Sequence, residues 1–243
     1  MNIKIWITLL FIAGTGMFAC QTNDDEPDPD ILELTFNFEE NEEGWEGGFA
    51  DLPEEGQDIY ELQVSHSPIP VETGTTGKSI MIQGHNRSDD LFMFLKKQLT
   101  GLAPSTSYQV IFDIEIASQY PTDSPGVGGS PGSSVYLKAG ASPEEPLPVL
   151  ESNAGVAYWR MNIDKGNQSQ EGTDMMNIGP IGIEGEDYKY ELIRRGNGER
   201  SFGATTDPEG NLWLIIGTDS GFEGLTTLYY TNIQVRLEKN RIL

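Results

Sequence analysis

The sequence predicts an all-β fold, a two-sheet antiparallel β-sandwich of jelly-roll form, on three observations. Apolar and polar residues alternate at period two in segment after segment. No stretch beyond residue 30 carries the apolar stripe of an amphipathic helix. Glycine and proline, 28 and 14 of 243 residues, break the chain with turns at strand-length intervals.

The alternation is clearest in three places. In "LELTFNFE" (32–39), Leu32, Leu34, Phe36 and Phe38 share one face and Glu33, Thr35, Asn37 and Glu39 the other. In "YQVIFDIEI" (108–116), Tyr108, Val110, Phe112, Ile114 and Ile116 point opposite to Asp113 and Glu115. In "NIQVRLE" (232–238), Ile233, Val235 and Leu237 alternate with Gln234, Arg236 and Glu238. One dry face and one wet face is the pattern of antiparallel strands. Shorter runs complete the set: "IYELQVS", "SIMIQ", "LFMFLKK", "SVYLKA", "AYWRMNI", "YKYELIRR" and "LWLIIGT". Some ten such strands suit two packed sheets. "GLAPSTSY" and "TDPEGN" are turns entering strands. Loops are expected at 40–58, 65–78, 118–132, 140–154 and 164–186, and function is expected on them.

The chain start reads differently. Met1 to Lys4 is short and basic, and Ile5 to Ala19 is almost wholly apolar. Fifteen residues fall short of the ~20 that span a bilayer as a helix, so residues 1–19 read as an export signal. Cys20, the only cysteine, follows Ala19, and Asp24, Asp25, Glu26, Asp28 and Asp30 follow it with Pro27 and Pro29 between them. This junction resembles the lipobox of bacterial lipoproteins, with Met17 where that family usually has Leu. The resemblance implies a signal peptide over 1–19, a lipid joined to Cys20, and an acidic tether over 20–30. The tether also resembles the acidic signal that sends some lipoproteins of Gram-negative bacteria to the cell surface. The expected address is therefore the outer membrane, surface-exposed, with membrane contact through the lipid alone. Residues 31–243 remain for a single β-sandwich domain.

Composition removes several functions. With 38 acidic and 15 basic residues the formal charge is −23, which disfavours nucleic acid and anionic lipid headgroups as partners. One cysteine excludes an intramolecular disulfide framework and a cysteine zinc cluster, and two histidines exclude a His-rich metal site. "SPGVGGSPGSS" (124–134) lacks the Gly-Lys-Ser/Thr ending of a phosphate loop. "MNIDKGNQSQEGTD" (161–174) offers Asp164, Asn167, Glu171 and Asp174 but departs from the EF-hand pattern, so it reads as a turn-rich loop. No nucleophile with a base, and no cofactor motif, is legible; paired carboxylates are the only credible catalytic groups.

Two clusters stand out as ligand-binding candidates. Trp45, in "EEGWEGGF", follows the first strand, and its ring can stack on a sugar or close the core. "GHNRSDD" (84–90) gathers His85, Asn86, Arg87 and Asp89, dense in donors and acceptors for sugar hydroxyls, or simply a solvated hairpin. Trp159 and Trp213 sit among apolar neighbours and are expected in the core.

"FNFEENEEGW", "SIMIQGHN", "LTGLAPSTSYQVIFDIEIAS" and "LYYTNIQVRLE" occur in an order that resembles jelly-roll carbohydrate-binding modules and the wider galactose-binding-like group. That resemblance implies glycan as partner and a structural calcium between the first and last strands, with Glu39 and Asn232 as candidate ligands. Thr231 stands where the family usually carries Asp. Three functions are thus expected in descending order: a non-catalytic glycan module, a surface module that meets another extracellular protein, and a carbohydrate-active enzyme. The first predicts Trp45 exposed in a cleft, the second an exposed apolar patch, the third two carboxylates across a pocket.

Overall fold

A computed structural model describes residues 30–153, 155–198, 200 and 202–240. The export signal, Cys20 and the tether up to residue 29 lie outside the described residues. The strands run in chain order as β1 Ile31–Phe36, β2 Glu46–Ala50, β3 Leu52–Pro53, β4 Gln63–Pro68, β5 Lys78–His85, β6 Leu91–Leu99, β7 Ser107–Ser118, β8 Val135–Ser142, β9 Pro148–Asn153, β10 Val156–Met161, β11 Met175–Pro180, β12 Glu191–Gly196, β13 Gly203–Thr205, β14 Leu212–Ser220 and β15 Leu225–Lys239. The only helical elements among the described residues are two short 3-10 segments, Gln57–Tyr60 and Val71–Thr73.

The expected all-β sandwich is what forms. One sheet has seven strands, ordered β12-β7-β15-β5-β4, with β1 also on β15 and β13 also on β7. The second has five, ordered β11-β8-β14-β6-β2, and every ladder between named strands is antiparallel. Alternate residues of both sheets meet in one core: Phe112, Ile114 and Ile116 of β7 and Ile233, Val235 and Leu237 of β15 face Leu137 of β8 and Leu214 and Ile216 of β14. Each such side chain, fully buried, contributes about 1.5–3 kcal/mol.

The five-stranded sheet departs from the expectation of one wet face. Its outer side is covered by a third, small sheet, β3-β10-β9. Beneath that cover lies a second cluster of Ala50, Phe92, Phe94, Met161, Ile163, Met175 and Ile215. Both faces of "LFMFL" are therefore dry: Leu91, Met93 and Leu95 meet the main core while Phe92 and Phe94 meet the cap. The expected loops 40–58, 140–154 and 164–186 contain β2 and β3, β9, and β11. "IYELQVS" is a strand only from Gln63, since Gln57–Tyr60 is a 3-10 segment.

Register places charge under the cap. On β8 and β14, Lys138 lies opposite Gly217 and Tyr136 opposite Asp219. Lys138 and Asp219 are thus diagonal neighbours on the outer face. Glycine at 217 is required by packing, because a Cβ there would stand 2.7 Å from the Phe92 ring.

Candidate functional site

An open groove of about 450 Å³ runs where the cap meets the five-stranded sheet. Its walls include Asp51, Asp90, Glu151, Arg160, Asp164 and Asn167, and Met161 and Ile163 provide apolar lining. Asp51 forms the single-residue link between β2 and β3, in the left-handed region at φ 60°. Asp90 ends the loop from β5 to β6, and Arg160 projects from β10. The loop 162–174 supplies the far wall. It is folded by Asp164, whose carboxylate accepts from the Gly166 and Thr173 amides at 3.1 and 2.9 Å, which holds its pKa below the usual range. Gly166, at φ 71°, turns so tightly that a Cβ would stand 2.2 Å from the Gln170 carbonyl.

A buried ionic network forms the floor. Asp219 is fully buried, and its Oδ2 accepts from Lys165 Nζ at 2.7 Å, the Gln168 amide at 2.9 Å and Lys138 Nζ at 3.0 Å. Lys138, equally buried, uses its other two protons on the carbonyls of Lys165 and Gln170, at 2.8 and 2.9 Å. Asp51 accepts from Arg160 Nη1 at 2.6 Å and pairs with Lys165 at 2.8 Å. Among the described residues the one ion pair of Asp90 is with Arg160, 3.8 Å from its Oδ2. Electrostatics follow from these contacts. Burial, then Asp219 and Asp51, push Asp90 up to about 8. Burial would raise Asp219 too, but Lys165 and Lys138 outweigh it and hold that carboxylate low. Burial lowers Lys138, while for Lys165 the attraction of Asp219 and Asp51 overcomes burial and raises it.

Oxygens of Asp51, Asp90 and Asp219 lie within 4.8 Å of one another, a spacing that suits a cation. The trio does not fit one, because two ammonium groups already stand within 3.0 Å of Asp219 Oδ2.

The residues predicted from sequence divide. Trp45 is a correction: at 3% exposure it closes the core, edge-on to Phe36 with centroids 5.5 Å apart, and presents no face to a ligand. Its Nε1 has no hydrogen-bond partner. Asn86 is a second correction. It is buried, with Nδ2 donating to the carbonyls of Ser220 and Phe222 at 2.9 and 3.1 Å and Oδ1 accepting from the Ser88 amide at 3.1 Å, so it braces the loop. His85 and Arg87 turn away from the groove to Glu61, at 2.9 and 3.5 Å. Asp89 is exposed, beside the groove residue Asp90, and its carbonyl accepts from Gln168 at 3.4 Å. Trp159 packs on the core as expected, whereas Trp213 is half-buried under the Lys96 ammonium, 5.1 Å from its ring.

Glu39 and Asn232 do share a separate cleft, with Glu115, Arg194 and Thr231. Glu115 there is held by Thr231 Oγ1 at 2.9 Å and Arg194 at 3.0 Å. Asn37, Thr75, Thr76 and Gln234 also line that cleft, so side-chain oxygens beyond those of Glu39 and Asn232 stand near the calcium candidate, which takes six to eight.

No protein-family model matches the chain, and no curated protein matches it. Solved structures resemble it loosely. The K1 cleaved adhesin domain of Lys-gingipain from Porphyromonas gingivalis is 11% identical, with 86% of this chain and 99% of that one covered at TM-score 0.37. A family 11 carbohydrate-binding module of a Clostridium thermocellum cellulase is 12% identical over 86% and 95%, at 0.35. For the enzymatically active domain of tailspike protein 4 of bacteriophage CBA120 the values are 12%, 82% and 20%, at 0.34, so this chain spans a fifth of that one. Likenesses this loose assign neither a family nor a ligand.

Proposed function

We propose that the chain is a surface-exposed outer-membrane lipoprotein whose β-sandwich is a non-catalytic glycan-binding module, with the groove at Asp90, Arg160 and Asp164 as its site. The lining of the groove carries this reading. Carboxylates, a guanidinium and an amide converge on a cleft of ligand size, and Met161 and Ile163 offer apolar contact to the C–H face of a sugar. Catalysis is the weaker reading. Asp90 and Asp51 put two carboxyl groups at one site, as a catalytic pair would, but Asp51 is 3% exposed and its oxygens are engaged by Arg160 and Lys165.

A glycan array probed with the chain carrying Cys20→Ala tests the module, and Arg160→Ala should abolish any binding seen. A blank array would favour the second reading, docking of an extracellular protein. That reading is supported by the cap's edge strand β9, where Val149 and Leu150 are exposed, with Leu147 just before it and Val156 at the start of β10 exposed as well. The anchor rests on the sequence at Cys20. Its test is fatty-acid labelling in cells, expected in the native chain and lost in Cys20→Ala.

A further inference from the structure

Two carboxylates, Asp90 and Asp219, face each other at the groove floor with an uneven supply of donors. Asp219 Oδ2 has three, whereas Asp219 Oδ1 has none, and Asp90 Oδ1 is likewise buried without a donor. Yet a carboxylate oxygen of each lies within 4.8 Å of one of the other, and neither Oδ1 has a donor. Carboxylates have only acceptors, so two that face each other at this range are reconciled by a proton between them. Every charged group facing the pair is accounted for. Arg160 from β10 and Lys165 from the following loop are engaged by Asp51, while Lys138 from β8 and the same Lys165 are engaged by Asp219. Asp90 alone has no cation within 3.5 Å among the described residues.

We propose that Asp90 and Asp219 share one proton, held on Asp90, so that Asp90 meets the groove as an uncharged acid and the site takes uncharged sugars in preference to uronic or other anionic ones. The sugar part rests on the glycan reading; the shared proton does not. Asp90 Oδ2 then acts as a neutral acceptor for a sugar hydroxyl. Asp164, whose amide hydrogen bonds favour its charged form, lines the groove with Glu151, and the two acidic side chains disfavour an anionic ligand. The sign of the pH effect follows. The folded chain holds this proton up to about pH 8, whereas the unfolded chain loses it near 3.8. Stability therefore declines as pH rises between those values and is flat above them. Above pH 8 two adjacent carboxylates repel, driving the 86–90 loop away from β14 and deforming the groove.

The test is a carbon-13 NMR titration of aspartate carboxyls in the full chain carrying Cys20→Ala, with Asp90 assigned by through-bond correlation. One carboxyl, that of Asp90, should titrate near pH 8 and disappear in Asp90→Asn. No aspartate titrating above pH 6 overturns the shared proton, whatever the array shows. On an array of neutral and uronic-acid oligosaccharides, binding should favour the neutral ones and fall about tenfold from pH 7 to pH 9, as the protonated fraction does, with the fall absent in Asp90→Asn. Equal binding of uronic-acid sugars overturns the selectivity. A blank array beside a carboxyl titrating near pH 8 overturns the glycan reading and leaves the shared proton standing.

Discussion

Replacing Asp219 by Asn keeps the shape of the side chain and removes its charge, which isolates what the buried network contributes. Three donors converge on Asp219 Oδ2 within 3.0 Å, two of them ammonium groups. After the substitution Lys165 retains Asp51, 2.8 Å away, but Lys138 retains only two neutral carbonyls. An ammonium with no exposed surface is then left without a counter-charge. Removing one partner of a buried pair costs about 3–5 kcal/mol. For a domain of this size, with about 2–4 °C per kcal/mol, the melting temperature should fall by roughly 6–20 °C. Urea denaturation at pH 7 gives the free energy directly, and the m-value should not change, since the folded surface is the same. Combined with Lys138→Met, the loss should be smaller than the sum of the two single losses by at least about 1 kcal/mol, because the stranded charge is gone. A single variant within about 1 kcal/mol of the native chain, or strictly additive losses, would show that Lys138 is solvated and the cap does not seal the sheet.

Two other substitutions and one ligand test separate structural from functional roles. Tyr230 is fully buried in the core and its hydroxyl has no partner, so Tyr230→Phe should leave stability unchanged or raise it by about 1–3 kcal/mol in the same denaturation assay. Trp45→Ala should cost about 3–5 kcal/mol while leaving glycan affinity intact in the folded protein, because the ring fills the core behind Phe36 and does not line the groove. Calcium, proposed for Glu39 and Asn232, should raise the melting temperature over that in chelator, and Glu39→Gln should cancel the rise; equal melting temperatures remove calcium from the account.

Most strands of the seven-stranded sheet were legible because one face is wet: β7 over 107–116 and β15 over 232–238 largely alternate polar and apolar residues, whereas the three-residue β13 carries no such signal. The strands that escaped are short and carry glycine or proline, as in "EGGFA", "LP", "PVLESN" and "MMNIGP", where composition reads as turn. Tertiary pairing alone makes them strands. The network at the groove floor was illegible for a different reason. Lys138 in "VYLKAGAS" and Asp219 in "LWLIIGTDS" occupy the positions that alternation assigns to solvent, and their presence there agrees with an ordinary wet face. Only the cap turns that face dry. Asp51, Asp90, Lys138, Lys165 and Asp219 come from five separate stretches of chain, so no spacing announces them.

Why ionic groups fix this junction can be argued from what the cap lacks. Its apolar contact with the sheet is a cluster of seven residues, and apolar contact has no direction, so it tolerates sliding. Hydrogen bonds to Asp219 and from Lys138 do have direction. They tie the carbonyls of Lys165 and Gln170 and the amide of Gln168 to fixed points on β8 and β14. Asp51 in turn ties the β2–β3 link to β10 through Arg160 and through its amide, which donates to the Trp159 carbonyl at 2.7 Å. The loop 162–174 and the cap are thereby held in one register against the sheet, and the groove between them inherits its shape from that register. Charge buried under the cap is costly, but it positions the groove walls in a way that the small apolar cluster does not. For that reason, substitutions at Asp219 and Lys138 should alter ligand binding without either residue touching a ligand.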